Sequence, residues 1–240
     1  MNLKGLIYSL MAPWFFGISL RRLRLLERHL LTPSTRLAIP FIFRGVGHFK
    51  SIRPMQSQVE FGQLYDRVCS MQPRTIMEIG TCHGGTLYLW CQAAHPEANV
   101  LSLDLPDGEF GGGYKACRAP FYRAFSKPAQ KLCLIRADSH SAATVEQISS
   151  LLGDRPIDLL FIDGDHTYNG VKQDYELYSR FVAPNGLIAI HDILQRSTDS
   201  RIEVWRFWDE IKRRNDKVQE IIDNTRDGRA IGIGLIQTRP

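Results

Sequence analysis

The sequence has few cysteines, and none of them forms a metal-binding pair. Its five cysteines are scattered without a Cys-x-x-Cys spacing, at Cys69, Cys82, Cys91, Cys117 and Cys133. This pattern excludes a disulfide-stapled scaffold and a cysteine-type zinc site, and it is typical of proteins kept in a reducing compartment. We therefore expect a cytoplasmic protein.

Apolar runs long enough to cross a membrane are also missing. The segment from Gly5 to Leu20 is uncharged and contains three neighbouring aromatic residues, but it has only sixteen residues and Pro13 interrupts it. No small-residue cleavage site follows it, so a secretory signal is not expected. An aromatic segment beside the basic Arg21, Arg22 and Arg24 favours an interfacial anchor with peripheral membrane contact. The alternative is an arm that covers the active site or packs against a second subunit of a homo-oligomer.

Acidic residues are in slight deficit, with 25 Asp and Glu against 30 Lys and Arg, a net charge of +5. The clusters at 21–24 and 212–214 have no interleaved aromatic platform, so nucleic acid is not an expected partner. Internal repeats and low-complexity segments are absent. The length and the 44% hydrophobic content fit one sizeable core. We predict a helical arm, aromatic and basic in composition, over residues 1–54 and one ligand-binding domain over residues 55–240.

A Gly-x-Gly-x-x-Gly loop is missing, although a different glycine-rich turn is present in Ile76-Met-Glu-Ile-Gly-Thr-Cys-His-Gly-Gly-Thr86. An apolar strand leads into this turn, and a helix follows it. Gly80, Gly84 and Gly85 permit a sharp turn and a close approach to a ligand, while the helix offers free N–H groups. The turn predicts a site for a nucleotide-type cofactor, and its spacing argues against a nicotinamide-dependent oxidoreductase.

Strand and helix patterns alternate from residue 57 onward. Helices are predicted near 57–71, 85–95, 141–152, 169–181 and 201–213. Strands are predicted at 75–79, 100–104, 132–137, 157–162, 187–191, 217–223 and 231–237, the last two as an antiparallel hairpin around the turn 224–228. This alternation predicts an α/β, Rossmann-like, doubly wound seven-stranded sheet that binds ligands at the carboxyl ends of its strands.

Acids and histidines follow these predicted strands. Asp104 ends the second strand, where a ribose diol is commonly bound, and Asp138 ends the third. Asp163, Asp165, His191 and Asp192 follow the next two strands, so we expect them at one crevice. Clustered carboxylates repel unless a proton or cation separates them, and this donor set favours Mg²⁺ or Mn²⁺ over zinc. An Asp–His hydrogen-bonded pair that holds the loops together is the alternative.

Together these residues resemble a known family. The glycine turn, Asp104, and above all Phe161-Ile-Asp-Gly-Asp-His-Thr-Tyr168 with Gly170-Val-Lys and His191-Asp are similar to class I S-adenosylmethionine-dependent methyltransferases. The nearest subgroup includes cephalosporin-hydroxylase-like proteins and macrolide-sugar O-methyltransferases. The resemblance covers roughly residues 55–237. It implies a sheet of six parallel strands with the last strand antiparallel.

The resemblance also implies ligand positions. The cofactor S-adenosylmethionine would be held by residues of the turn, with Glu78 and Gly80 beside its methionine portion, Asp104 on the ribose, and Asp138 and Ser139 by the adenine. The other expected cofactor residues are Thr81, His83, Gly84, Gly85, Thr86 and Asp163. Mg²⁺ would be bound by Asp163, His191 and Asp192, although relatives commonly carry an acid where this chain has His191.

Methyl transfer to a hydroxyl needs an aligned, deprotonated acceptor, because the sulfonium donor leaves readily. Asp165, His166 and His140 are the candidate bases, with Asp165 preferred because it lies two residues after a predicted metal ligand. The histidines have capping roles as their alternative. The expected acceptor is a sugar hydroxyl of a glycan, glycolipid or natural product, with a small phenolic molecule also compatible.

Two further segments bear on the acceptor. The glycine-rich and aromatic stretch 105–122 is predicted to be a lid. In the helix at 201–211, Ile202, Trp205 and Trp208 form a stripe that indicates core packing, with stacking on an acceptor as the alternative. A non-catalytic cofactor-binding or partner module remains a competing interpretation of the whole chain.

Overall fold

The computed structural model describes residues 3–108, 110, 112–195, 199–214, 217–224 and 231–240, with the backbone alone for residues 3–10. Within these residues, the helices are α1 (Leu3–His29), α2 (Pro33–Ile42), α3 (Gln58–Met71), α4 (Gly85–Ala93), α5 (Ala119–Arg123), α6 (Ala142–Leu152), α7 (Tyr168–Tyr178) and α8 (Val204–Arg214). The strands are β1 (Thr75–Ile79), β2 (Asn99–Asp104), β3 (Lys131–Arg136), β4 (Ile157–Ile162), β5 (Val182–His191), β6 (Val218–Ile221) and β7 (Ile233–Gln237).

The strands form one seven-stranded sheet in the order β3-β2-β1-β4-β5-β7-β6. Strands β1 to β5 pair in parallel, and β7 is antiparallel to both of its neighbours, β5 and β6. The sheet predicted from the sequence is therefore confirmed, including the direction of the last strand. The strand order reverses at β1, which has β2 on one side and β4 on the other, and such a switch point opens a crevice at the carboxyl ends of the strands.

Local sequence signals explain where several helices begin. The Ser57 hydroxyl accepts the N–H of Glu60 before α3, and the Thr167 hydroxyl accepts the N–H of Gly170 before α7. Both hydroxyls satisfy N–H groups that the first helical turn leaves without partners. Thr32 and Thr35 form a reciprocal capping box before α2.

Several element predictions need correction, and α7 ends at Tyr178 rather than at residue 181. α5 lies inside the predicted long loop after β2; Pro120 is in its first turn, and Phe121 and Tyr122 are fully buried. β5 begins at Val182 rather than at residue 187. Its first four residues are not buried, so they lie outside the apolar run from which the strand was predicted. α8 begins at Val204, three residues later than predicted. The turn predicted at 224–228 lies outside the described residues after Asn224.

Two hydrophobic clusters cover the two faces of the sheet. One contains side chains from α3 and α4, such as Phe61 and Trp90, together with Leu23 of α1 and Leu37 and Phe41 of α2. The N-terminal helices therefore share a core with segments on the other side of residue 54. The other cluster joins α6, α7 and α8 to the opposite face of the sheet. No helix of the described residues combines the length and hydropathy needed to cross a membrane.

Candidate functional site

A cavity of about 440 Å³ opens at the carboxyl ends of the parallel strands. Each of five neighbouring strands contributes a residue to its wall: Gly80 after β1, Asp104 at the end of β2, Asp138 after β3, Asp163 after β4 and His191 at the end of β5. The volume falls within the usual range for cofactor sites. The cavity therefore lies at the switch point, where the alternating sequence predicts a ligand.

The glycines of the turn after β1 are required by packing against other parts of the protein. Gly80 has φ +94°, and a Cβ there would lie 2.0 Å from the Asp163 carbonyl oxygen. Gly84 has φ +81° as the residue before α4, and a Cβ there would lie 2.7 Å from the ring of Tyr122. A Cβ on Gly85 would lie 2.2 Å from the Ile52 carbonyl oxygen. The predicted sharp turn is confirmed, but protein atoms occupy the space that the missing side chains leave.

A second, small cavity of about 20 Å³ also borders this turn. Thr81, His83, Gly85 and Thr86 border this space rather than the large cavity, whereas Gly80 and Asp163 border both. The predicted cofactor residues of the turn are therefore divided between two adjoining spaces, except Gly84, which is not among the described residues that line either one.

Glu78 lies beneath the turn and is fully buried. Its Oε2 accepts a hydrogen bond from the Thr86 hydroxyl at 2.9 Å. Burial raises the pKa of the Glu78 carboxyl to about 8, although the Thr86 hydrogen bond lowers it. Glu78 is not among the described residues that line the two cavities, so its contact with the cofactor stays a prediction.

Asp104 is held by the backbone on two sides. Its Oδ2 accepts the N–H of Cys82 at 2.8 Å, and its Oδ1 accepts the N–H of Gly113 at 3.0 Å. Burial raises the pKa of Asp104, while these hydrogen bonds lower it. Since each carboxylate oxygen has a second lone pair, both can still accept a hydroxyl from a ligand in the cavity.

Asp138, Ser139 and His140 follow β3 and line the same cavity. The Ser139 carbonyl accepts the Tyr178 hydroxyl at 2.7 Å, which fixes this loop on α7. His140 Nε2 lies 3.1 Å from Oδ1 of Asp174, a fully buried residue of α7. The Asp174 carboxylate raises the pKa of His140. Sequence reasoning missed Asp174, whose signal is a single acid on the apolar face of α7.

Four side chains form a connected cluster at the ends of β4 and β5. His191 Nδ1 lies 2.9 Å from Asp163 Oδ1 and 3.4 Å from Asp192 Oδ1. Asp192 Oδ2 in turn lies 2.8 Å from His166 Nδ1. We call Asp163, His166, His191 and Asp192 the Asp–His cluster. Three of its members were predicted to meet there together with Asp165, whereas His166 occupies the fourth place.

Asp165 has a different local role in the structure. Its Oδ1 accepts the N–H of Thr167 at 2.8 Å, in a turn that leads into α7. A Cβ on Gly170 would lie 2.1 Å from Asp165 Cγ, so the side chain packs closely on the first turn of that helix. Asp165 still borders the cavity.

Two carboxylates alternate with two imidazoles in the Asp–His cluster, so an imidazole that carries a second proton would offset carboxylate charge without a metal ion. Burial lowers the pKa of His166, but the hydrogen bond to Asp192 and the charge of Asp163 raise it by a larger amount, so the net shift is upward. This arrangement is the hydrogen-bonded alternative to a metal site. Ligand atoms of Asp163, His191 and Asp192 also lie within 4.8 Å of one another. The donor set therefore fits a hard divalent cation as well, once the imidazole is deprotonated.

Gln56 is a further residue that the sequence did not identify. Its Nε2 donates to Asp163 Oδ2 at 2.6 Å, so both oxygens of this carboxylate have protein partners. Gln56 directly precedes the Ser57 cap of α3, and no motif in the sequence distinguishes it.

The predicted lid divides into two parts. Leu105, Gly108, Phe110 and Gly112 border the cavity, whereas Tyr114, Phe121 and Tyr122 are buried in the core. Glu109 and Gly111 lie outside the described residues. Only the first part of the stretch 105–122 is therefore placed to cover a ligand.

The tryptophans of α8 differ in position. Trp208 is fully buried and donates its Nε1–H to Glu220 Oε1 at 2.6 Å, which confirms its predicted packing role. Trp205 is partly buried, and neither tryptophan is among the described residues that line the cavity. Ile202 and Arg201, just before α8, do line it.

Comparisons with known proteins agree with this architecture. Residues 77–193 match the family model Methyltransf_24, described as a methyltransferase domain. Similar structures include the O-methyltransferase TomG of Streptomyces achromogenes in complex with SAM (15% identity, 89% of this chain and 94% of that chain, TM-score 0.57). Another is an O-methyltransferase from Bacillus cereus in complex with SAH (17% identity, 95% and 100%, TM-score 0.56). At these identities, the two structures show a shared fold.

Two curated relatives have no described activity. One, from Sinorhizobium fredii, is 26% identical over 60% of this chain and 16% of its own length. The other, from Acanthamoeba polyphaga mimivirus, is 30% identical over 49% of this chain and 51% of its own length. The chain thus spans about half the length of one curated relative and a much smaller share of the other.

Proposed function

We propose that this protein is an S-adenosylmethionine-dependent O-methyltransferase, because residues 77–193 match the model of a methyltransferase domain. The observation that carries the proposal is the cavity at the strand switch point, which Asp104 borders with two backbone-held carboxylate oxygens. Those oxygens can accept the ribose hydroxyls, and Asp138 and Ser139, which line the same cavity, would contact the adenine. O-methyltransferases of the same fold bind SAM or SAH.

The proposed reaction is an in-line displacement at the sulfonium methyl group. The acceptor oxygen forms a bond to the methyl carbon while the sulfur–carbon bond breaks, and S-adenosylhomocysteine leaves as a neutral thioether. The acceptor proton must pass to a base. Because the donor needs no activation, the protein contributes alignment and proton removal.

We assign the proton transfer to His166, with Asp192 as its positioning partner. His166 borders the cavity, and its Nδ1 is engaged by Asp192. With the proton on Nδ1, the other ring nitrogen is the basic one. Asp165, the base favoured on sequence grounds, remains the alternative, but its carboxylate is already bound to Thr167 N–H. His140 is the third candidate, and its partner is Asp174.

A divalent cation is an additional part of the proposal. Asp163, His191 and Asp192 would hold Mg²⁺ or Mn²⁺. Such an ion would lower the pKa of an acceptor hydroxyl bound beside it. In its absence, the same carboxylates hold His191 and His166 in place through the contacts described above.

For the acceptor, we propose a sugar hydroxyl, as in the macrolide-sugar subgroup that the sequence resembles. Support comes from the polar and aromatic wall near His166. The Phe110 ring stands edge-on to His166 at 5.0 Å, and the Arg201 guanidinium lies 5.5 Å from the Phe110 ring. Aromatic faces with nearby charged donors suit a sugar ring. A small phenolic acceptor is the alternative.

The test is a screen for S-adenosylhomocysteine formation with sugar-containing and phenolic acceptors, each with EDTA and with added Mg²⁺. Turnover with sugar hydroxyls would support a sugar as the acceptor. Turnover with phenols alone would make a phenol the acceptor class instead. Cofactor binding without turnover on any acceptor would favour the non-catalytic module. Equal rates in EDTA and Mg²⁺ would remove the metal from the proposal.

A further inference from the structure

The outward face of α1 carries a continuous set of exposed side chains that the proposed reaction does not use. Met11, Trp14, Arg21, Leu25 and Arg28 recur at helical spacing along this face, and all five are exposed. We call them the outward α1 stripe. The Trp14 side chain is 60% exposed, although tryptophan is usually largely buried.

The opposite face fixes α1 to the body of the protein. Ser19 and Leu23 are fully buried, and the Ser19 hydroxyl accepts the N–H of Val46 at 3.0 Å. The Phe16 ring packs against Phe49 and Phe121 with centroids 5.9 Å and 6.3 Å away. Helix α1 is therefore anchored along one side, and the outward α1 stripe is presented on the other.

Positive charge is concentrated in the same segment. Residues 1–32 contain five of the 30 basic residues and one of the 25 acidic residues, so they carry four of the five net positive charges. Arg22 and Arg24 donate to the carbonyls of Arg44 and Ala124, and thus help to hold the helix. Among the ion pairs of the described residues, neither Arg21 nor Arg28 has an acidic partner.

We propose that the outward α1 stripe binds an anionic lipid surface, with α1 lying in the plane of the membrane. Trp14, Met11 and Leu25 would enter the headgroup boundary, and Arg21 and Arg28 would contact lipid phosphates. The apolar residues span about 20 Å of the helix at 1.5 Å per residue, enough for interfacial binding without a spanning segment. A second copy is disfavoured as the occupant, since it would bring the same positive excess against itself.

The test is co-flotation of the full chain with phosphatidylcholine vesicles that contain or lack phosphatidylglycerol. We expect about tenfold greater partition onto the anionic vesicles, lost at high salt. The double variant Arg21→Gln/Arg28→Gln should lower partition by about an order of magnitude. The matched control, Arg155→Gln/Arg213→Gln, removes the same charge from exposed sites outside α1 and should remain within about twofold of the wild type.

The apolar part has its own readout. Trp90 and Trp208 are fully buried and Trp205 is partly buried, so quenching of fluorescence by brominated lipids should report mainly on Trp14. Trp14→Phe should lose this quenching while its circular dichroism spectrum stays unchanged. Trp14→Ala should lower partition about fivefold, whereas Val59→Ala, an exposed apolar site on α3, should not.

Several results would overturn the proposal. One is equal partition onto both kinds of vesicle, and another is the same loss in the Arg155/Arg213 control. A dimer that Trp14→Ala converts to monomer would instead assign the stripe to a second copy. Salt-sensitive DNA binding without vesicle binding would assign it to nucleic acid. None of these measurements depends on methyl transfer.

Discussion

His166 and Asp165 are adjacent residues with different surroundings, and this difference separates the two candidate bases. The His166→Asn variant should lower kcat by about 10²- to 10⁴-fold, the usual contribution of a positioned base. Asp165→Asn serves as the matched control and should keep most of the turnover, because Asp165 supports the start of α7. Both should bind S-adenosylhomocysteine with similar affinity in titrations. The reverse order of kcat values would return the base role to Asp165.

The pKa of His166 gives the reaction a defined pH dependence. Only the neutral imidazole accepts a proton, and the pKa of His166 is raised from 6.5. We therefore expect kcat to rise with pH through this raised pKa and then to level off. The protonated form of His166 also stabilises the fold. Its contribution to the free energy of unfolding is complete below pH 6.5 and is lost as pH rises through the folded-state pKa. A kcat that falls over this range would contradict the assignment.

Glu78 provides a residue-level test of the cofactor turn. Its pKa is raised from 4.5 to about 8 by burial, so the folded state holds a proton that the unfolded state has released. The free energy of unfolding should therefore fall as pH rises from 4.5 to 8. Glu78→Gln should remove that part of the fall, while the exposed Glu97→Gln should not. Urea unfolding at a series of pH values measures this, and parallel wild-type and Glu78→Gln curves would contradict it.

Two turns that contain a glycine with positive φ differ in how tightly the rest of the protein packs on them. Gly80 and Gly153 both have positive φ, but a Cβ meets the Asp163 carbonyl oxygen at 2.0 Å at Gly80 and no atom within 4 Å at Gly153. Gly153→Ala should cost about 1–3 kcal/mol through backbone strain alone, because φ +57° with ψ −127° lies outside the regions that alanine favours. Gly80→Ala should cost more than about 3 kcal/mol, since β1 and β4 must separate, and it should weaken cofactor binding. Equal losses in thermal unfolding would show that the contact between the turn and β4 is not tight.

Elements with a clear local pattern could be predicted from the sequence. β1 to β4 are short apolar runs bounded by turn residues. Four acids that end or follow these strands were expected at the cavity, where Asp104, Asp138, Asp163 and Asp165 are found. α5 was not predictable, because its few residues are helical through burial of Phe121 and Tyr122.

The candidate site was only partly predictable, because its side-chain contacts depend on tertiary packing and not on a local sequence pattern. Pairing in the Asp–His cluster depends on the side-chain directions of His166 and Asp192, the latter at φ +64°. The contacts of Gln56 and Asp174 join residues distant in sequence, which a local pattern does not encode. The distribution of the turn residues between two cavities likewise follows from how the segment 52–56 packs on the turn.

At the scale of the whole molecule, the sheet, the cavity and the N-terminal helices form one connected arrangement. The helix α1 packs through Phe16 on Phe121, and the neighbouring Tyr122 donates its hydroxyl to the Cys82 carbonyl in the cofactor turn. The proposed membrane surface and the proposed cofactor site are thus linked by direct contacts. Anionic vesicles should therefore leave cofactor affinity intact or raise it, which titrations with and without vesicles would measure.

The central claim is that the cavity at the strand ends binds S-adenosylmethionine. Calorimetric titration of the purified chain with S-adenosylhomocysteine tests it most directly, with Asp104→Ala as the variant and NAD as the control ligand. We predict saturable one-to-one binding that Asp104→Ala weakens by at least about tenfold, through loss of two ribose hydrogen bonds, and no heat from NAD. A folded wild-type sample that binds neither S-adenosylhomocysteine nor S-adenosylmethionine would contradict the account.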